Sequence, residues 1–173
     1  MIFKITVSTL IILLSALVGY VISLNYDLRI KQLSAFIFSI KIMEAEMNYS
    51  KSYLYDIVGK LSSNSEKVIA DLYRQVGNGL KNNNGKEFAE IWNDSVAQAF
   101  DTSSLTQTDI RLIKDFGKSI GKMDLKNQEK IYDYFLKRFD LQLVDATEEK
   151  NKKSRVYKNL GVAVGVMVVV VLI

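Results

Sequence analysis

The residues best placed to do chemistry stand together in Met43 to Ser50, which reads MEAEMNYS and holds Glu44, Glu46 and Tyr49. Two carboxylates serve as a general acid and base only when they converge on one reacting group, and residues two apart on a helix point to different sides. Glu44 shares the apolar face marked by Ile37, Ile40 and Met47, where burial raises a carboxylate's pKa unless a core Tyr or Arg pairs with it. Glu46 points off that stripe. The chain has no His, no Cys and no Pro, which removes the usual nucleophile and base pairs, disulfides and nearly all zinc ligand sets. No catalytic residue, metal site or cofactor is therefore expected. Glu44, Glu46 and Tyr49 read as a partner contact or as a buried carboxylate and its surroundings.

Glycines carry the next signal. Gly117 and Gly121 lie one helical turn apart in FGKSIG, and a glycine inside a helix costs about 1 kcal/mol against alanine. Close approach of a neighbouring helix compensates for that cost; a phosphate-binding loop does not fit, because neither a Walker pattern nor a preceding strand is present. Gly161 and Gly165 repeat the four-residue spacing inside an apolar run, where it lets membrane helices approach closely. Their partner is either the first span, another copy of the chain or no helix at all.

These residues need elements to position them. Ile5 to Leu24 is an uncharged run of spanning length, longer than the apolar core of a typical signal peptide. Leu160 to Ile173 is uncharged but shorter, about 21 Å as a helix, and approaches spanning length only with Val156, Tyr157 and a snorkelling Lys158; a re-entrant or interfacial end is the rival reading. Arg29, Lys31 and Lys41 follow the first span, and Lys150, Lys152, Lys153, Arg155 and Lys158 precede the second, against Lys4 alone outside. That bias puts the middle of the chain on the cytosolic side. The same basic cluster can meet anionic membrane lipid, so the net charge of +4 requires no nucleic acid.

Between the spans, apolar residues recur at three- and four-residue spacing in six segments. The first runs from about Leu28 to Tyr49; the second starts near Ser52 and breaks at Ser62 to Ser65. Ser63 with Glu66 has capping-box spacing for the third, and Asn84 with Glu87 caps the fourth, which packs Phe88, Ile91, Trp92, Val96 and Phe100. Thr106 opens the fifth and Asp124 caps the sixth. Nothing breaks the helical pattern between the sixth and the second span, so a single long rod is expected there. The fold class is all-α: an antiparallel bundle of about six helices flanked by an N-terminal and a C-terminal transmembrane helix. The expected divisions are 1–25 for the first span, 26–157 for a cytosolic bundle and 158–173 for the second.

With these residues laid out, the chain resembles the stage III sporulation protein AB family over nearly its whole length. MEAEMNYS matches that family's acidic, Tyr-containing end of the first domain helix, Trp92 matches a characteristic tryptophan, and Asp109 to Gln128 (DIRLIKDFGKSIGKMDLKNQ) follows its F-G-x-x-L-G-x-x-D-x-x-x-Q pattern with Ile120 in place of Leu. Lys158 to Gly165 (KNLGVAVG) matches too, whereas Ser52-Tyr53 departs from a frequent Thr-Pro. The resemblance implies a role in the channel that joins mother cell and forespore, with the protein in the mother-cell membrane. It also implies a cytosolic domain similar to the platform proteins of type II secretion and type IV pilus machines. The implied partners are a secretion-type ATPase, stage III sporulation protein AA, and other stage III sporulation channel membrane proteins. A purely structural assembly factor that pairs through its membrane helices is the alternative.

Overall fold

The computed structural model describes residues 2–50, 53–82, 85–121 and 128–172. All of the regular structure among them is helical. Helix α1 covers Ile2–Ala45 and runs into a π turn at Glu46–Ser50; α2 (Leu54–Asn64), α3 (Lys67–Lys81), α4 (Phe88–Ala99), α5 (Gln107–Ile120) and α6 (Gln128–Glu149) follow. A second π turn at Lys150–Ser154 leads into α7, Arg155–Leu172. The chain divides into two compact units, Arg29–Val144 and the pair Met1–Leu28 with Asp145–Ile173.

In Arg29–Val144, the end of α1 and helices α2 to α6 form the six-helix bundle. Each helix exists because it has an apolar stripe to bury. α1 submerges Leu33, Phe36, Ile40 and Met43 while Lys31, Ser34, Phe38 and Lys41 stay outside. α2 packs on α3, α3 on α4 and α4 on α5. The core is an aromatic cluster centred on Phe116, whose ring lies 5.9 Å from Phe36, 6.0 Å from Trp92 and 5.4 Å from Phe135, mostly edge to face, the arrangement that ring quadrupoles favour. Two buried hydroxyls are satisfied inside it: Ser39 donates to the Phe36 carbonyl, and Tyr73 in turn donates to Ser39 at 2.7 Å.

Several helix ends differ from the sequence expectation. The polar run Ser62 to Ser65 does not break α2, which continues to Asn64, because Ser62 and Ser63 bond back to the Gly59 carbonyl and Asn64 to that of Lys60. Side chains of this kind can satisfy helical carbonyls as well as compete with them. The cap of α3 is Glu66 itself, which accepts from the Val68 amide, rather than Ser63 in a capping box. Glu87 precedes α4 without a side-chain cap bond, and Asn84 lies outside the described residues. So does Asp124, expected to cap α6. Thr106 does open α5, in a full capping box with Asp109.

In the other unit, α1 up to Leu28 lies against α7. Two helical stretches, Thr6–Asn48 and Glu129–Val171, contain windows long and apolar enough to cross a membrane. α7 has 18 residues, or about 27 Å of helix, so it reaches further than its apolar run alone. Leu13, Leu17, Met167 and Val170 point outward and are exposed, as lipid-facing residues are.

Candidate functional site

The acidic end of α1 owes its form to what lies under it. Met43 is buried, and in the π turn the Met47 sulfur accepts from the Tyr132 hydroxyl of α6 at 3.0 Å. Widened turns of this type recur where a helix must aim side chains off their regular spacing. Glu46 pairs with Lys60 of α2 at 2.8 Å. Glu44 is half-buried and meets no core Tyr or Arg among the described residues; burial first, then Glu129 and Asp133 of α6, hold its carboxyl above the usual range, while Lys41 opposes them. The Tyr49 side chain lies outside the described ones. The two glutamates thus differ in chemistry: one is neutralised by a lysine, the other sits among carboxylates. Among the described residues, no group of three or more acids, His or Cys is arranged to hold a metal ion. What remains is a cluster of carboxylates, Glu44, Glu46, Glu129 and Asp133, interleaved with Lys41, Lys60 and Lys137.

Gly117 faces Trp92. A Cβ on Gly117 would lie 2.1 Å from Trp92 Cδ1, and the indole N–H donates to the Ile113 carbonyl, one turn earlier on α5, at 2.9 Å. The bare backbone at Gly117 is the seat of the ring. Gly121 ends α5, and a Cβ there would lie 3.0 Å from Phe88.

Sequence patterns did not expose the bundle's buried ion pair. Arg29, the first residue of the bundle, grips Asp109 at the start of α5 with Nε and Nη2, at 2.8 and 3.1 Å. Asp109 is fully buried and also accepts the Thr106 amide at 2.9 Å, while Gln32, one turn along α1, accepts from the Ser104 amide. In the sequence Arg29 stands as one of several basic residues after the first apolar run. The capping-box spacing of Thr106 and Asp109 was the one available clue.

In the membrane pair, Gly161 meets Gly19. A Cβ on Gly161 would come within 2.7 Å of the Ser15 carbonyl and 3.1 Å of Gly19 Cα, and one on Gly165 within 2.9 Å of Ile12 Cα. Ser15, Gly19 and Ser23 carry the answering four-residue spacing on α1, a signal visible in the sequence of the first span. Beyond the glycines, Ser23 and Ser154 share a hydrogen bond of 2.6 Å, Tyr26 stacks on Tyr157, and Lys150 pairs with Asp27 at 2.5 Å.

A match to the stage III sporulation protein AB family covers residues 4–173. The chain belongs to the stage III sporulation protein AB family. Within it, the chain is 22% identical to the stage III sporulation protein AB of Bacillus subtilis (strain 168) over 170 residues, 98% of both chains. A solved stage III sporulation protein AB shares the fold with a TM-score of 0.67 at 20% identity, over 72% of this chain and 98% of that one. The protein is thus a component of the sporulation machinery with two helical stretches suited to a membrane.

Proposed function

We propose that this protein is a non-enzymatic membrane platform of the channel between mother cell and forespore, holding a secretion-type ATPase, stage III sporulation protein AA, against the mother-cell membrane. The observation that carries the reading is the family match along almost the whole chain. The α1 end supports it chemically: Asp133 and Glu46 are already paired with Lys137 and Lys60, and Glu44 and Glu129 are the carboxylates there that a basic partner can meet. The bundle would lie in the cytosol, where the basic flanks favour it.

Co-purification of the full-length protein in detergent with the ATPase, with and without nucleotide, tests this. Glu44→Lys with Glu129→Lys is expected to cut recovery of the ATPase at least tenfold while the protein stays in the membrane. Undiminished recovery and normal sporulation would sink ATPase docking at this surface. The alternative, a structural assembly factor that joins other channel proteins through its membrane helices, draws on the apolar outer faces of α1 and α7. Leu17→Trp with Met167→Trp on those outer faces separates the two readings: loss of channel assembly with ATPase recovery intact favours the assembly factor.

A further inference from the structure

The basic cluster that precedes the second span reads as one block of charge in the sequence, but countercharge divides it in two. Lys150 pairs with Asp27 at 2.5 Å, Lys152 with Glu148 at 2.8 Å and Lys153 with Glu149 at 2.7 Å. Arg155 and Lys158 meet no carboxylate among the described residues; the Lys158 ammonium lies over the Tyr20 ring, 5.7 Å from its centroid. Residues three and four apart share a helix face, so Arg155, Lys158 and Asn159 stand together. With Asn151 and Lys152 they line an open recess of about 510 Å³ at the base of α7.

The depth of the two free cations makes the missing countercharge costly. Contacts between the membrane helices fix their level: Ser154 bonds to Ser23, and a Cβ on Gly161 would lie 3.1 Å from Gly19 Cα. Arg155 is therefore level with the last turn of the uncharged run Ile5 to Leu24, and Lys158, about 5 Å further along α7, is level with Tyr20. After Lys4, α1 carries no charge until Asp27. A cation beside the apolar part of a span needs a partner, and long side chains there extend toward the headgroups. Phosphate is the anion that the headgroup layer offers. A zwitterionic lipid brings its own cation and leaves two positive charges unanswered, whereas an acidic lipid answers them. We infer that Arg155 and Lys158 hold the phosphate of one acidic phospholipid, with the carboxamides of Asn151 and Asn159 donating to its headgroup oxygens. The three paired lysines contribute little. This site shares no residue with the acidic end of α1 and stands or falls separately from ATPase docking.

Native mass spectrometry of the full-length protein in detergent, titrated with phosphatidylglycerol or phosphatidylcholine, tests the assignment. Phosphatidylglycerol is expected to bind at least tenfold more tightly than phosphatidylcholine. Arg155→Gln with Lys158→Gln should abolish that preference, while Lys152→Gln with Lys153→Gln, which removes the same formal charge, should change it by less than threefold. The charge-keeping variant Lys158→Arg should also stay within threefold of the parent, so that the loss in the first double variant reads as loss of charge and not of fold. Equal losses in the two double variants would mean a general attraction of the cluster to an anionic surface and would overturn the inference. So would the absence of a preference in the parent protein, or displacement of the lipid by inorganic phosphate at the same concentration, which would mark a site for a soluble anion.

Discussion

Glu44 shows how a single side chain can oppose the fold that carries it. Its carboxyl titrates above the ordinary value of 4.5 because burial and the charges of Glu129 and Asp133 disfavour ionisation. For an acid raised in this way the folded state holds its proton longer than the unfolded chain, so the contribution to stability is best at low pH and is lost as pH rises from the ordinary value through the raised one. Glu44→Gln should remove that decline and raise the melting temperature at pH 7 by no more than about 2 °C, as expected for a half-buried site. A melting series from pH 4 to 8 on both proteins checks it; parallel curves would contradict the assignment. The apolar neighbours of Glu44 were readable from spacing. The acids that face it come from α6, some 85 positions later, and no local pattern announces them.

At the scale of elements, the glycines illustrate the same divide. Spacing marked Gly117 as a place where another helix comes close, but not that the visitor is Trp92 of α4. Gly117→Ala gains about 1 kcal/mol of helix propensity and meets a ring that cannot retreat, because its N–H is tied to Ile113 and Tyr73, Phe88 and Phe116 surround it. Overpacking of this kind costs about 1–3 kcal/mol, so a net loss of about 1 kcal/mol is expected in chemical denaturation, opposite in sign to the usual Gly to Ala change in a helix. The two π turns were not legible at all. Five residues of EMNYS or KNKKS carry no mark that separates a wide turn from an ordinary one, and the contacts made inside the turns, Met47 to Tyr132 and Ser154 to Ser23, are to residues far along the chain.

For the bundle as a whole, the helix count, the all-α class and the two apolar ends followed from periodicity and from the missing proline. The Arg29–Asp109 clamp did not, because its partners are 80 residues apart and each looks like an ordinary surface charge. It joins the first helix of the bundle to the fifth. Asp109→Ala takes the carboxylate away from a buried guanidinium and should destabilise the full-length protein by about 3 kcal/mol, whereas replacing both residues with apolar ones, Arg29→Met with Asp109→Leu, should restore most of that loss. Urea titrations of the three proteins decide it; equal stability of the single and double variants would mean that the pair does more than hold the bundle together.

The seat of Trp92 has a practical consequence. The chain contains one tryptophan, and that ring is fully buried among aromatic neighbours with its N–H bonded to a backbone carbonyl. Its emission therefore serves as a native optical gauge of the α4–α5 contact: blue-shifted while the ring keeps its place and red-shifted once water reaches it, with no label and no second chromophore of its kind to confuse the signal.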